Sequence, residues 1–321
     1  MKYFIGIDGG GTKTDGILMQ ENGQVLARLA GGAANMQVVG IERVCDEIKR
    51  LVDGLTARAG LTGGENIHLF AGLAGAGRPE DRQALIARLA EIIAATKISV
   101  NSDAIAALYG AFPSGAGMIL IAGTGSICYG KDRRDRHYRA GGWGYLLGDE
   151  GSGYFIGQQA IVAALKSADG RGETTVLKQR IEAAFSLDSI EKIISPLYSG
   201  QISRADVAAL ALVVFEAARN GDHAALHIIE KAGLDLGELI VGLARQAGLE
   251  QQRVTVALIG SVFLQKETLI PDIQKTAEKV VAAVEFIAPR FSPAVGAALI
   301  AMRGEKVKIT AALLKRIEAT V

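Results

Sequence analysis

Cysteine is scarce in this sequence of 321 residues: only Cys45 and Cys128 are present, far apart in the chain. Two such cysteines cannot form a disulfide framework or the paired spacing of a zinc site, so we expect a protein of the reducing cytoplasm. The four histidines are scattered as well. His223 and His227 stand four residues apart on a predicted helix, but no suitable pattern of acids accompanies them. A metal centre built from cysteine or histidine is therefore not expected.

The chain also lacks an excess of charge of either sign, because its formal net charge is +1. This balance argues against an electrostatic surface for nucleic acid or for a membrane. No uninterrupted apolar stretch reaches the roughly 18 residues that a transmembrane helix needs. The short apolar run near the N-terminus is cut by Asp8, so no signal peptide is predicted. We expect neither nucleic acid nor a membrane as a partner.

Apolar residues and glycine, by contrast, are plentiful. A length of 321 residues with 49% hydrophobic residues predicts two domains with sizeable cores. The 40 glycines cluster in short loops and form no low-complexity tract. These loops are therefore the natural candidates for ligand sites lined by backbone.

The first glycine cluster lies almost at the N-terminus. The apolar run 3–7 predicts a buried strand, which Asp8 ends, and three glycines at 9–11 turn the chain into a second strand. Such a turn favours glycine because it needs φ > 0 or a very close backbone approach. We expect its N–H groups and the hydroxyls of Thr12 and Thr14 to have few internal partners. They would then form an anion nest for phosphate, with Asp8 beside it to hold Mg²⁺ directly or through water.

Two better-known phosphate motifs do not fit this stretch. A Walker A loop counted from Gly6 requires lysine where Thr12 stands, and a dinucleotide fingerprint counted from Gly9 requires glycine where Thr14 stands. A tight hairpin without any ligand remains the alternative for the turn taken by itself.

The opening pattern recurs about a hundred residues later. An apolar strand over 117–122 is followed by Gly-Thr-Gly-Ser at 123–126 and by a returning strand. Two copies of strand, glycine turn and strand predict a duplicated α/β fold, with mixed sheets, helices on their faces and both turns pointing at a shared cleft. We predict a first domain over 1–112 and a second over 113–303, with residues 304–321 able to pack back on the first.

Five short motifs, in order along the chain, resemble motifs of the sugar kinase/Hsp70/actin superfamily. They are residues 7–14, 101–104, 122–126, 141–152 and 258–262. Within that superfamily the chain is most similar to eukaryotic-type N-acetylglucosamine kinases and their bacterial relatives of the BadF/BadG/BcrA/BcrD ATPase group. The resemblance implies a two-lobed actin-like ATPase fold (duplicated RNase H-like), with ATP and a sugar in the cleft between the lobes.

The same resemblance implies ATP and Mg²⁺ as cofactors. The residues that would hold the nucleotide are Asp8, Gly10, Gly11, Thr12, Lys13 and Thr14 in the first lobe, with Gly123, Thr124, Gly260 and Ser261 in the second. Asp8 would bind Mg²⁺, through water. Lys13 either adds positive charge to the phosphate site or is a solvated surface lysine.

The residues that would contact the sugar are Asn35, Gly75, Asp103, Gly125, Ser126, Gly142, Trp143, Gly144 and Asp149. Trp143, the only tryptophan, either stacks on the sugar or is a core residue whose neighbouring backbone binds it. Ala74 departs from the family pattern, because the animal enzyme carries serine there. This departure leaves one sugar contact open, although the backbone at Gly75 can still serve.

Asp103 is the predicted catalytic base. It follows a short strand and precedes a helix, so it lies at the carboxyl end of a strand, where open α/β sheets bind ligands. A carboxylate there can accept the proton of an attacking sugar hydroxyl. The alternative is a helix N-cap, since aspartate is favoured at that position too. The flanking motifs favour the base.

The predicted function is transfer of the ATP γ-phosphate to the 6-hydroxyl of N-acetylglucosamine. The alternatives are a kinase for glucosamine or a related hexose, and an ATPase activator that holds an iron–sulfur cluster at a dimer interface. Cluster iron needs converging thiolates, and Cys45 on an early helix and Cys128 in a buried strand are not expected to converge. A sugar-responsive regulator would need an added DNA-binding segment ahead of the phosphate strand. We expect a homodimer, with the apolar stripes over 203–245 as either core or dimer face.

Overall fold

A computed structural model describes the whole chain, Met1–Val321. Ten strands are present: β1 (Lys2–Gly9), β2 (Thr14–Gln20), β3 (Val25–Gly31), β4 (Asn66–Leu73), β5 (Lys97–Asn101), β6 (Gly117–Ala122), β7 (Ser126–Lys131), β8 (His137–Gly141), β9 (Arg253–Ile259) and β10 (Ala283–Ile287). The strands form two sheets of five, so the sheet content divides evenly between two halves of the chain.

Twelve α-helices accompany the strands: α1 (Met36–Val39), α2 (Ile41–Arg58), α3 (Pro79–Ile92), α4 (Asp103–Ala111), α5 (Gly153–Ala168), α6 (Leu177–Ala184), α7 (Ile194–Tyr198), α8 (Arg204–Arg219), α9 (His223–Ala247), α10 (Lys266–Ala277), α11 (Pro293–Gly304) and α12 (Ala311–Thr320). Short 3₁₀ helices at Ile190–Ile193 and Ser261–Gln265 complete the regular structure. None of the helices combines the length and the apolar character needed to cross a membrane.

The chain divides into two compact units. Unit 1 comprises Met1–Ala116 and Pro289–Val321, and unit 2 comprises Gly117–Ala288. The chain thus returns to unit 1 at Pro289. The prediction placed this return later, because it assigned 113–303 to the second domain and only 304–321 to the segment that packs back on the first. The physical reason is close packing of α11 on β1: a methyl group added at Gly6 would lie 2.1 Å from the carbonyl oxygen of Ala294. Helix α11 is therefore part of the core of unit 1.

The two sheets have the same topology, which confirms the predicted duplicated two-lobed α/β fold. In unit 1 the strand order is β3-β2-β1-β4-β5, and in unit 2 it is β8-β7-β6-β9-β10. Each sheet begins with two antiparallel pairings and continues with two parallel ones. The carboxyl ends of four of the five strands, including the three parallel neighbours, therefore lie at one edge of each sheet, where ligands bind in folds of this class.

Both faces of the central strand β1 are buried, as its apolar sequence predicts. Ile5 and Ile7 pack in the core under α2 and α3, whereas Phe4 belongs to a second core with α11 and α12. This alternation follows from the two-residue period of a strand. A single larger core fills unit 2. Strand β1 is thus held rigidly up to Asp8, close to its carboxyl end.

Candidate functional site

The glycine turn of unit 1 joins β1 to β2 and is closed by one hydrogen bond, from the N–H of Gly10 to the carbonyl oxygen of Lys13, at 2.9 Å. Of the two expected reasons for glycine here, a positive φ does not apply, because none of the three glycines adopts one. Close packing explains Gly9 instead: an added methyl would lie 2.6 Å from Leu73 Cδ2. An added methyl at Gly11 would meet no atom within 4 Å. Glycine is therefore sterically required at the base of the turn, and the space around its tip is open.

The exposed tip of the turn carries the free donors. The N–H groups of Gly11 and Thr12 make no hydrogen bond within the protein, so they can bind an anion. Thr14 does not share this property: its side chain is fully buried and its hydroxyl donates to the carbonyl oxygen of Gly32 at 2.6 Å. The prediction that the Thr14 hydroxyl lacks an internal partner is therefore wrong. Thr14 thus holds the end of the turn in place through its hydrogen bond to Gly32.

Lys13 is exposed and forms an ion pair with Asp15, with 3.0 Å between Nζ and Oδ2. The hydrogen bond to Asp15 raises the pKa of Lys13, so its ammonium group is charged at neutral pH. A surface pair of this kind is weak and readily exchanged. The two interpretations of Lys13 therefore both remain available.

Asp8 and Asp103 lie near each other at the carboxyl edge of the unit 1 sheet. Asp8 on β1 pairs with Gly72 on β4, which pairs in turn with Asn101 at the end of β5. The connection passes closely over Gly72, where an added methyl would lie 2.6 Å from Ala106 Cβ and 3.5 Å from Asp103 Cα. Glycine at position 72 thus allows α4 to bring Asp103 over the sheet.

The environment of these two acids disfavours their charged forms. Burial raises the pKa of Asp8 to about 7, and the charges of Asp103 and Asp15 also raise it, whereas Lys13 lowers it. Burial likewise raises the pKa of Asp103, against the opposing effect of the Ala104 N–H, which donates to its carboxylate at 2.9 Å. Carboxyl groups with raised pKa values in one place are typical of sites that bind cations or transfer protons.

Asp103 is the first residue of α4, and Ser102 occupies the N-cap position. The alternative interpretation of Asp103 as the N-cap residue is therefore wrong, although its carboxylate does stabilise the helix start. The connection before it is fixed by Asn101, whose Oδ1 accepts hydrogen bonds from Ser102 N–H at 2.9 Å and from Arg82 Nη1 at 3.1 Å. Nothing in the local sequence pointed to Arg82, which comes from α3.

Asp8 also borders a cavity of about 610 Å³ within unit 1, whose polar lining includes Asp15, Arg28, Arg58 and Ser292. Asp8 is thus half-buried at the edge of open space. No group of three or more histidine, cysteine, aspartate or glutamate residues converges to hold a metal ion. A magnesium ion at Asp8 would need water and phosphate oxygens as its other ligands, which is the usual arrangement for Mg²⁺.

Asn35 and Gly75, the other predicted sugar contacts of unit 1, are brought together. Asn35 is the N-cap of α1, where its Oδ1 accepts the Gln37 N–H at 3.0 Å. Gly75 has φ +85°, and an added methyl would lie 2.8 Å from that same oxygen. The preceding Ala74 donates its N–H to the carbonyl oxygen of Gly9 at 2.8 Å. This loop is thus attached by backbone to the glycine turn, and the departure at Ala74 leaves that attachment intact.

The glycine turn of unit 2 is built differently. Gly123 and Thr124 leave the turn open, since an added methyl at Gly123 would meet no atom within 4 Å and Thr124 is exposed. Gly125 is crowded, because an added methyl would lie 2.8 Å from Asp149 Oδ2. Gly260 supports the turn from β9, as its own added methyl would lie 2.2 Å from the carbonyl oxygen of Ala122. The exposed Ser261 follows and begins a 3₁₀ helix.

Asp149 is the central acid of unit 2. It is 5% exposed and adopts φ +61°, a left-handed conformation that a side chain other than glycine rarely takes. Its carboxylate accepts the N–H of Ser126 at 3.3 Å and the N–H of Gly144. Burial raises the pKa of Asp149, and these hydrogen bonds lower it. A strained, buried acid next to a glycine turn is a strong sign of a ligand site.

Ser126 supports this acid. Its hydroxyl donates to the carbonyl oxygen of Glu150 at 2.7 Å, and its N–H donates to Asp149, so both donors are engaged inside the protein. Sequence reasoning missed Arg204, whose Nη2 lies 3.7 Å from Asp149 Oδ2. Ser203, a residue type typical of N-caps, precedes Arg204 and begins its helix. No sequence signal linked that start to a residue 55 positions earlier.

Trp143 is not a core residue, because 67% of its side chain is exposed. One face of its ring is covered by Arg139, whose Cζ lies 4.3 Å from the ring centroid. Arg139 also donates to the carbonyl oxygens of Gly141 and Gly142, at 2.9 and 2.6 Å. The indole therefore stands at the surface beside the predicted contacts Gly142 and Gly144. The core interpretation of Trp143 is wrong, and stacking on a ligand remains a prediction.

The two cysteines are buried, one in the core of each unit. Burial raises the pKa of Cys45 to about 11 and raises that of Cys128 further from its ordinary value. Both thiols are thus protonated and enclosed by apolar side chains, which disfavours metal ligation by either of them.

Comparison with known proteins agrees with this geometry. The model of the BadF/BadG/BcrA/BcrD ATPase family matches residues 5–301. An N-acetylmuramic acid/N-acetylglucosamine kinase of Clostridium acetobutylicum is 34% identical over 301 residues, covering 94% of this chain and 98% of the relative. An N-acetyl-D-glucosamine kinase of Dictyostelium discoideum is 31% identical over 320 residues, covering 95% and 99%. The solved structure of a candidate N-acetylglucosamine kinase from Chromobacterium violaceum has a TM-score of 0.75 and 28% identity, covering 94% of this chain and 99% of that one.

Proposed function

Because the chain belongs to the BadF/BadG/BcrA/BcrD ATPase family, we propose that it is an ATP-dependent amino-sugar kinase that phosphorylates the 6-hydroxyl of N-acetylglucosamine. The observation that carries the proposal is the pair Asp8 and Asp103, two protonatable carboxyl groups beside a turn with free N–H groups. Phosphoryl transfer requires a phosphate cradle, a cation site and a base for the attacking hydroxyl.

The proposal assigns the phosphates and the chemistry to unit 1. The N–H groups of Gly11 and Thr12 bind phosphate oxygens, and Gly10 and Thr14 hold the shape of the turn. Lys13 exchanges Asp15 for a phosphate oxygen. Asp8 would hold Mg²⁺ through water, and the bound ion would supply positive charge to neutralise the transferred group. Asp103 accepts the proton of the sugar hydroxyl, and Asn35 and Gly75 bind the sugar.

Unit 2 carries the rest of the binding. Gly123 and Thr124 contribute to the phosphate site, and Gly260 and Ser261 to the adenosine site. Asp149 accepts hydrogen bonds from two sugar hydroxyls, which an ionised carboxylate with two oxygens can do. The backbone of Gly125, Gly142 and Gly144 lines the same site, Ser126 orients Asp149, and Trp143 stacks on the sugar.

N-acetylmuramic acid is a second candidate acceptor. It is favoured by the Clostridium acetobutylicum relative, an N-acetylmuramic acid/N-acetylglucosamine kinase that this chain matches over 98% of the relative's length. Glucosamine and glucose are the remaining candidates. The buried, protonated cysteines make an iron–sulfur activator a poorer proposal.

One assay tests the function. ATP consumption is measured with N-acetylglucosamine, N-acetylmuramic acid, glucosamine, glucose and N-acetylmannosamine, and the phosphorylated position is identified by ³¹P NMR. We expect N-acetylglucosamine to give the highest kcat/KM, with phosphate on the 6-hydroxyl. Absence of turnover with every sugar would exclude the kinase.

We also propose that the protein acts in the cytoplasm as a homodimer. Two protonated, unpaired thiols agree with a reducing compartment. Light scattering after gel filtration tests the dimer: a mass near twice the 33.6 kDa of one chain is expected, and the monomer mass would reject it.

A further inference from the structure

Asp149 needs a counter-charge if it is to bind a sugar as a carboxylate. Burial and the neighbouring charge of Glu150 both raise the pKa of Asp149. Glu150 also acts on Asp235, but that acid is already paired with Lys231. The one ion pair of Asp149 is with Arg204, whose Nη2 lies 3.7 Å from Oδ2 and whose charge lowers the pKa of Asp149. The remaining stabilising contacts are backbone N–H groups.

Arg204 is held in place from two directions. It is the first residue of α8, whose start is fixed by a capping box in which Ser203 and Asp206 exchange hydrogen bonds. Its Cζ lies 4.3 Å from the ring centroid of Tyr145 and 5.8 Å from that of Tyr154, and the two rings meet edge to face at 5.2 Å. A planar guanidinium suits this stacking, which an ammonium group cannot reproduce.

The position of Arg204 is unfavourable for α8 itself. A cation in the first turn of a helix opposes the helix dipole, which favours negative charge there. The side chain is also not needed to fill a core, since 47% of it is exposed. Its location is therefore better explained by what it contacts than by the stability of its helix.

We propose that Arg204 is a positioning residue for sugar binding, which uses its stacking on Tyr145 to hold the Asp149 carboxylate charged and aimed at the sugar hydroxyls. This inference rests on the proposed amino-sugar kinase. Arg204 acts through Asp149 and takes no part in proton or phosphoryl transfer. Its removal thus weakens sugar binding and leaves the chemical step largely intact.

The test compares Arg204→Met and Arg204→Lys with the wild-type protein. Arg219→Met is the matched control, because Arg219 ends the same helix and donates to Gln265, away from Asp149. The sugar KM, the ATP KM and kcat are measured for each, and N-acetylglucosamine binding without nucleotide is measured by calorimetry from pH 5 to 9. Thermal unfolding of each variant verifies that it is folded.

For Arg204→Met we expect the sugar KM and the sugar Kd to rise roughly ten- to a hundredfold, as for loss of a charge-assisted contact. The kcat and the ATP KM should change less than about threefold, since the variant removes binding that is uniform in ground and transition states. Loss of binding on acidification should begin at higher pH, because the pKa of Asp149 rises without its cation. Arg204→Lys should restore the pH profile better than the affinity, and Arg219→Met should match the wild type.

An unchanged sugar Kd in folded Arg204→Met, or an equal loss in Arg219→Met, would overturn the inference. A fall in kcat with an unchanged sugar KM would do so as well. Failure of the proposed function is distinguishable, because it shows as absence of turnover in the wild-type protein. Calorimetry of sugar binding then tests Arg204 without any need for turnover.

Discussion

The two units share one sheet topology but place their acidic groups by different routes. In unit 1 the acid Asp103 follows the outermost parallel strand, β5, with only Ser102 between them. The corresponding strand of unit 2, β10, is followed by Ala288, after which the chain returns to unit 1. The acid of unit 2, Asp149, comes from the connection between β8 and α5. A duplicated sheet therefore provides equivalent edges, and the loops give each edge its own chemistry.

The two glycine turns differ in the same way. The turn of unit 1 is crowded at its base by Leu73 and open at its tip, where two N–H groups are free. The turn of unit 2 is crowded at Gly125 by a carboxylate, and that carboxylate occupies the Ser126 N–H. The first turn thus suits an anion, and the second supports an acid that suits hydroxyl groups.

The largest effect is expected when each of the two acids is replaced by asparagine in a separate variant. Asp103→Asn should lower kcat by about 10²–10⁴ by removing general-base assistance, with the sugar Kd retained. Asp149→Asn should instead raise the sugar Kd, with a smaller effect on kcat. Steady-state kinetics together with calorimetry separate the two. Near-normal turnover by Asp103→Asn would remove its assignment as the base.

A smaller effect is expected from crowding the second turn. In Gly125→Ala the added methyl lies 2.8 Å from Asp149 Oδ2, so the carboxylate must move. We expect the sugar KM to rise about tenfold, the equivalent of losing one hydrogen bond to a charged group. The matched variant Gly123→Ala adds a methyl in open space and should leave the sugar KM unchanged. Equal sugar KM values for the two variants would contradict the role given to Asp149.

The third prediction concerns pH and Mg²⁺ in unit 1. With a pKa of about 7, Asp8 is largely protonated below neutral pH and must lose that proton to act on the metal ion. The apparent Mg²⁺ affinity is measured from the Mg²⁺ dependence of turnover. It should be about tenfold lower at pH 6 than at pH 8, because the ionised fraction of Asp8 falls by about that factor between these pH values. Asp8→Asn should reduce the pH dependence to that of ATP alone. A wild-type affinity that is flat between pH 6 and 8 would show that Asp8 does not act on the ion.

The smallest effect contrasts two glycines of one turn. Gly9→Ala brings a methyl to 2.6 Å from Leu73 Cδ2 and should lower the free energy of unfolding by about 1–3 kcal/mol, as overpacking does. Gly11→Ala meets nothing and should leave stability unchanged while raising the ATP KM. Urea unfolding and ATP kinetics measure both quantities. Loss of stability in Gly11→Ala would mean that the tip of the turn is not open.

Local sequence patterns determined much of this protein. An apolar run followed by glycine, threonine and a second run predicts a strand, turn and strand wherever it occurs, because strand burial and turn geometry depend on neighbouring residues. The repeat at 123–126 therefore indicated the duplication, which the matching strand orders confirm. The motifs around Asp8, Asp103 and Asp149 are short and local as well, so the sequence alone was sufficient to indicate the family.

Other properties were decided by contacts between distant residues, which no local pattern reports. Thr14 is buried, and its hydroxyl has a partner because β2 pairs with β3 and places the carbonyl oxygen of Gly32 beside it. The return of the chain to unit 1 at Pro289 depends on the packing of α11 against Gly6. The left-handed conformation of Asp149 and its ion pair with Arg204 depend on how a loop and a later helix meet. The sequence by itself determined which chemical groups are present and in what order. Only the tertiary structure decided which of them are free and which are held, because burial and pairing arise from packing across the fold.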